Sequence, residues 1–191
     1  MLRALITLSL FLVMSPANAQ EQFQAVPQAT EHITGLDIEE HFQYIEKLYT
    51  SQKPDMNAIS AFITQYPLED FVLTNTVVTN RGSQEPETYT RNNLEFVADE
   101  QARDYDLIDT RIRHTITNIE YLEDKLSAKV SYTSLFQGQM KKDVIGKGLS
   151  ILDFKSLSVC TDILKLVNGA IKGQKADCRT DIIYGEPRPA R

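Results

Sequence analysis

The dipeptide Asn168-Gly169 lies between two runs rich in β-branched and apolar residues, Val144 to Val167 and Ala170 to Tyr184. A two-residue type I′ turn needs positive φ at both central residues, which Asn-Gly supplies at little steric cost. The pattern predicts an antiparallel hairpin closing on Val167 and Ala170. Cys160 stands seven residues before Val167 and Cys178 eight after Ala170. One extra residue in the return strand therefore sets the two cysteines opposite each other, and Gly173, within Lys172-Gly173-Gln174, is the natural place for such a bulge. A Cys160–Cys178 disulfide would close a loop of about 18 residues, worth roughly 3 kcal/mol in the chain-entropy treatment. A helix over 161–172 competes, since Ile163, Leu164 and Val167 also fit a 3.6 period. The hairpin is preferred because it accounts for the cysteines and Asn-Gly together. A metal or redox pair is disfavoured, with no Cys-x-x-Cys and no His beside either cysteine.

Upstream, the pattern is first helical. Ile38, Phe42, Ile45 and Tyr49, with Leu48, make one stripe after the start signals Thr34 and Asp37. Pro54 suits the first turn of a second helix, whose buried face is Met56, Ile59, Phe62, Ile63 and Tyr66, and Pro67 stops it. Phe71 to Thr79 then reads as a strand, with Asp70 as a turn residue before it, and Asn80 to Glu87 as a loop. A third helix is expected from about Thr90 to Arg103, with Leu94, Val97, Ala98, Gln101, Ala102 and Tyr105 along its stripe. Strands follow over Leu107 to Tyr121 and Leu126 to Gln137. Ile108, Ile112 and Ile116 share one parity, as do Leu126, Ala128, Val130, Tyr132 and Phe136. Leu152, Phe154, Cys160, Leu164 and Leu166 share another, and Cys178, Ile182 and Tyr184 a fourth. Such alternation is the mark of an antiparallel sheet covered on one face.

Residues 1–19 read as a secretory signal peptide: Arg3, an 11-residue apolar run from Ala4 to Met14, then Pro16 and Ala17-Asn18-Ala19. A bilayer span needs roughly 20 apolar residues, so no stable membrane insertion is expected, and no Cys follows the run to carry a lipid. Cleavage near Ala19 places the protein in the periplasm or medium, where paired cysteines oxidise. Residues 20–33 are expected as a flexible arm, 34–184 as a single domain and 185–191 as a solvated tail. The 20 basic and 26 acidic residues, net −6, argue against a nucleic-acid partner held by phosphate contacts.

The order helix, helix, strand, helix and four strands defines an α+β layer architecture. With the stretch from Asp70 to Tyr105, it resembles the nuclear transport factor 2-like superfamily, which includes SnoaL-like cyclases and ketosteroid isomerases. The resemblance covers roughly Leu36 to Tyr184. It implies three helices from the N-terminal half packed on a curved, mostly antiparallel sheet that forms a cone. It also implies an apolar pocket between sheet and helices, which in this chain would be lined by Phe42, Tyr44, Ile112, His114, Tyr132 and Phe154. Members include enzymes and non-catalytic binders, and many dimerise through the outer face of the sheet.

Chemistry-bearing residues are few. His32 falls in the arm and His41 sits beside Glu39 and Glu40 on the first helix, while His114 shares the parity of Ile112 and Ile116. Asp109, Arg111 and Arg113 read as a solvated row on the outer face. Asp162 shares the covered parity of Cys160 and Leu164, where a carboxylate needs a partner. Ser131, Ser134 and Ser150 lack a nucleophile-elbow context, and no glycine loop for phosphate exists. No metal and no cofactor are expected. The favoured expectation is an exported, non-catalytic protein that binds a small apolar ligand or docks an envelope protein, with a homodimer through the sheet as an option. The alternative is a small isomerase or cyclase using His114, Asp162 and Tyr132 for general acid–base catalysis.

Overall fold

The computed structural model describes residues 32–81 and 85–190. The signal-peptide reading and nearly all of the expected arm lie outside them. Helix α1 (Gly35–Tyr49) opens with a capping box between Thr34 and Asp37. Helix α2 (Met56–Gln65) is capped by the Asp55 carboxylate, which accepts from the Asn57 and Ala58 amides. Pro54 therefore stands just ahead of the cap rather than in the first turn. Strand β1 (Pro67–Thr79) begins directly after α2 and takes in Asp70, which was expected in a turn and accepts from Gln174 at 2.7 Å.

Strand β2 (Glu87–Asn92) occupies residues expected as loop and helix start. It pairs antiparallel with β1, and a Thr76–Thr88 hydroxyl bond of 2.8 Å crosses the pair. Helix α3 (Asn93–Gln101) starts only after Asn92, which forms a capping box with Glu95. The expected stripe on α3 is also displaced. Leu94 is 81% exposed, and Phe96 is the side chain that reaches the interior, against Phe71 at 5.2 Å.

Four long strands follow: β3 (Tyr105–Tyr121), β4 (Ser127–Val144), β5 (Gly148–Val167) and β6 (Ala170–Tyr184). With two-residue β7 (Arg188–Pro189), they complete a curved, unclosed sheet of order β2-β1-β6-β5-β4-β3, β7 pairing with β5. All its pairs are antiparallel except β1 with β6. The fold is thus the expected α+β arrangement of three helices on a mostly antiparallel sheet. Within the stretch read as a solvated tail, Arg188 forks onto the Asp153 carboxylate at 2.7 and 2.9 Å. At the other end, Ile33, placed with the arm by its sequence, is 2% exposed and donates its amide to Lys125 O.

The β5–β6 hairpin forms as expected. Asn168 and Gly169 both have positive φ, at 52° and 77°. Val167 pairs with Ala170, the register slips by one between Leu164↔Gly173 and Ile163↔Lys175, and Cys160 then faces Cys178. The two are joined in a disulfide. Residues 150, 152, 154, 160, 162, 164 and 166 of β5 are all buried, confirming a covered face.

The parity expected for β3 is broken. Asp109 takes φ 48° and the ladder to β4 slips between Ile108 and Arg111. Leu107 and then Thr110 point inward, so Ile108 does not share a face with Ile112. The bulge is pinned by the α1–α2 connection, where the Asp109 and Thr110 amides donate to Gln52 O and Ser51 O. Farther along, the free edge of β3 is covered by side chains. Thr50 Oγ1 accepts from the Ile112 amide and the Glu46 carboxylate from the His114 amide, which removes two open donors from an edge that could otherwise pair with another chain.

Two core clusters result. Ile33, Ile38, Phe42, Ala128, Val130, Leu164 and Leu166 pack at the hairpin end, and Ile59, Ile63, Leu107 and Phe154 at the other. Gly173 joins the helices to the sheet. Its amide donates to Tyr66 O at 3.0 Å, and a Cβ there would stand 2.6 Å from the Tyr66 ring. Gly173→Ala is expected to cost about 1–3 kcal/mol by overpacking, measured by denaturant unfolding. An unchanged midpoint would contradict this packing.

Candidate functional site

Two helical stripes face each other beside the hairpin turn. On α1 the stripe is Asp37, Glu40, His41 and Tyr44, and on α2 it is Ala58, Ala61, Phe62 and Gln65. Both follow the i, i+3, i+4, i+7 spacing that gathers side chains on one face of a helix. With Leu166 and Ile171 of the hairpin they bound an open groove of about 550 Å³, a volume typical of small-molecule sites. Ala58 and Ala61 are too small to fill it. The His41 and Phe62 rings stack on Tyr66 at 5.5 and 5.4 Å, and Tyr44 meets Phe62 at 5.7 Å. Burial, with the charge of His114 adding to it, pushes His41 down to about 4, so its imidazole is neutral at physiological pH.

Behind the groove lies a second, enclosed group. Tyr132 donates to Asp162 Oδ2 at 3.0 Å, while Asp162 Oδ1 is buried without a partner. Burial raises Asp162 to about 7, and the Tyr132 bond offsets only part of that effect. Burial and the nearby Asp162 charge push both Tyr66 and Tyr132 well above the usual phenol value. The Phe42 ring contacts His114 at 4.9 Å and Tyr132 at 4.7 Å. His114 Nδ1 lies 3.4 Å from Glu46 Oε1 without completing a hydrogen bond. Burial lowers the His114 pKa and Glu46 opposes that shift.

The six residues expected to line one pocket are therefore distributed. Phe42, His114 and Tyr132 touch one another in the interior, with Asp162 beside Tyr132. Tyr44 is half exposed on the groove. Ile112 borders a different groove along the edge of β3, with Glu46 and Leu135. Phe154 packs on Phe136 at 4.9 Å in the second cluster. Arg111 and Arg113 are exposed. Among the described residues no three His, Cys, Asp or Glu side chains gather as a metal site. No described helix is long and apolar enough to cross a membrane.

Sequence reading missed the groove itself, although it placed Phe62 and Tyr66 on a buried helix face. The available signal was the second stripe on each helix, polar and small enough to pass for a solvated surface. It missed Glu46 as well, whose role at the strand edge depends on contacts 68 residues apart.

No protein-family model matches the chain, and no curated protein matches it. Several solved structures are similar in fold. One is an NTF2-like protein of unknown function from Prochlorococcus sp. NATL2A, at 14% identity over 83% of this chain and 97% of that one, TM-score 0.45. A second is a hexachlorocyclohexane dehydrochlorinase (LinA) type 2, at 14% identity over 83% and 94%, TM-score 0.46. A third is a phenazine biosynthesis-related protein from Pseudomonas aeruginosa, at 12% identity over 84% of each chain, TM-score 0.36. Of these three, the first is described as NTF2-like, and the likenesses concern the fold alone.

Asp162 and His41 make a pH prediction. Asp162 binds its proton more tightly folded (about 7) than unfolded (3.8), so its contribution to stability falls as pH rises from about 4 to about 7. The full span corresponds to roughly 4 kcal/mol. His41 acts oppositely, its contribution falling as pH drops from 6.5 to about 4. Asp162→Asn removes the first effect, so its unfolding free energy should gain on the wild type by a few kcal/mol between pH 4 and 7. Parallel curves for the two proteins would contradict the assignment.

Proposed function

We propose that this chain is an exported, non-catalytic binding protein that holds a small apolar ligand in the groove between α1, α2 and the β5–β6 hairpin. One observation carries the reading. Aromatic side chains of both helices border an open space, whereas His114, Tyr132 and Asp162, the residues an acid–base mechanism would use, are packed inside. The apolar leader at residues 1–19 and the paired cysteines support export. Native mass spectrometry of the protein purified from an exporting host is expected to show a chain beginning at Gln20. It should also carry an adduct of small-molecule mass that organic solvent releases and that Tyr44→Ala with Phe62→Ala abolishes. An uncleaved chain, or a bare chain even before solvent treatment, would contradict the proposal.

A second reading, a small isomerase or cyclase, is favoured by the Asp162–Tyr132 bond together with the unpartnered Asp162 Oδ1 and the nearby His114, whose Nδ1 faces Glu46 at 3.4 Å. It requires Phe42 to swing away, since its ring contacts both His114 and Tyr132. Turnover that survived Asp162→Asn would count against it.

The partner proposed for the outer face is a second copy. Across β3, β4, β5 and β6 the register aligns Arg113, Leu135, Leu157 and Asp181 in one row. Leu157 is 47% exposed, as are neighbouring Val159 at 57% and Ile183 at 61%. A two-fold axis parallel to the strands, between β4 and β5, sets Leu135 on Leu157 of the other copy and Arg113 on its Asp181. Such a face is isologous and self-complementary. Arg113→Asp should weaken the dimer in sedimentation, and adding Asp181→Arg should restore it. A monomeric wild type at tens of micromolar would overturn the proposal.

A further inference from the structure

We infer that the groove takes an organic cation, an apolar body ending in a tertiary or quaternary ammonium group. The inference rests on the groove being the binding site and adds the chemistry of its ligand. Tyr44 and Phe62 meet at 5.7 Å with their planes 55° apart, forming an aromatic corner. Tyr44 is 51% exposed there, which leaves much of its ring available to a ligand. Ring faces attract alkylated ammonium groups, which shed water more readily than a primary amine does. Glu40 stands four residues before Tyr44 on the same stripe, one helical turn away, and borders the same groove. It is exposed, and no hydrogen bond or ion pair of its carboxylate is found among the described residues.

The charge around the groove favours the same class. Its border carries two carboxylates, Asp37 and Glu40, against one ammonium, Lys172. Asp37 is held by the Thr34 amide and hydroxyl. Lys172 Nζ donates to the Gln65 carbonyl, which ties it to the end of α2. The uncharged His41 ring adds no repulsion at neutral pH. A fatty carboxylate would meet two like charges, and a neutral ligand would gain nothing from the carboxylate of Glu40. A cation beside Tyr44 gains both the ring face and the carboxylate.

The test uses three probes built on a ten-carbon chain, decyltrimethylammonium, decanol and decanoate, each titrated into the purified full chain by calorimetry below its micelle concentration or, for decanol, its solubility limit. The cation should bind at least about tenfold tighter than the alcohol, and decanoate most weakly. Glu40→Gln should weaken the cation several-fold and leave the alcohol unchanged. Tyr44→Ala should weaken the cation more than the alcohol. Both positions are exposed, so unchanged thermal melts will show the variants folded. Equal affinity for cation and alcohol, or tighter binding of decanoate, would overturn the inference while leaving the apolar groove intact. Failure of all three probes to bind would overturn both.

Discussion

The one-residue bulge in β6 is the constraint on which the rest of the structure depends. An Asn-Gly turn sets a tight two-residue register, and continuing that register would set Cys160 opposite Asp177 and turn Ala176, Cys178 and Thr180 outward. The slip at Gly173–Gln174 corrects this within two residues. The cysteines then meet, and the inward row of β6 joins that of β5. Because the bulge residue is a glycine, the Tyr66 ring can lie directly on the strand, where a side chain would collide. Pro67 pairs with the same glycine and starts β1. The end of α2, the start of the parallel pair β1–β6 and the floor of the groove thus meet at one backbone irregularity.

Tyr66 separates two environments of different polarity. On one side His41 and Phe62 stack on it beside an open groove. On the other lie Asp162 and Tyr132 in an interior that holds Val130 and Leu164 at 0% exposure. A lone buried carboxylate is unfavourable when ionised, and one hydrogen bond from Tyr132 does not restore its ordinary acidity. At neutral pH the interior therefore contains a carboxyl near its titration point. Phe42 packs against Tyr132, the donor to that carboxyl.

Much of the fold was legible because its signals are local. The capping residue Thr34, the Asn-Gly turn, the glycine in the return strand and the alternation along β5 each act within a few residues. The inward side of β3 was not legible. Asp109 holds a positive φ with no glycine or proline to mark it, and amides donating to Ser51 and Gln52 impose that geometry from outside the strand. Gly138 was a faint sign, since a Cβ there would strike Thr110 across the ladder. Strand β2 was hidden by its composition, with Tyr89 its only large side chain of apolar character. Parity brought His114, Tyr132 and Asp162 to the same interior correctly. It could not place the groove, because helices α1 and α2 meet there through tertiary packing alone.

The proposed ligand binding belongs to the groove and not to the packed interior. Ring-proton NMR of the intact oxidised protein tests it most directly, with an apolar probe such as benzyl alcohol added to saturation. The resonances of Tyr44, Phe62 and Tyr66 should shift while those of Phe42, Tyr132 and Phe154 hold still. Shifts centred on Phe42 and Tyr132, with Tyr44 and Phe62 unmoved, would contradict it and place the site beside Asp162.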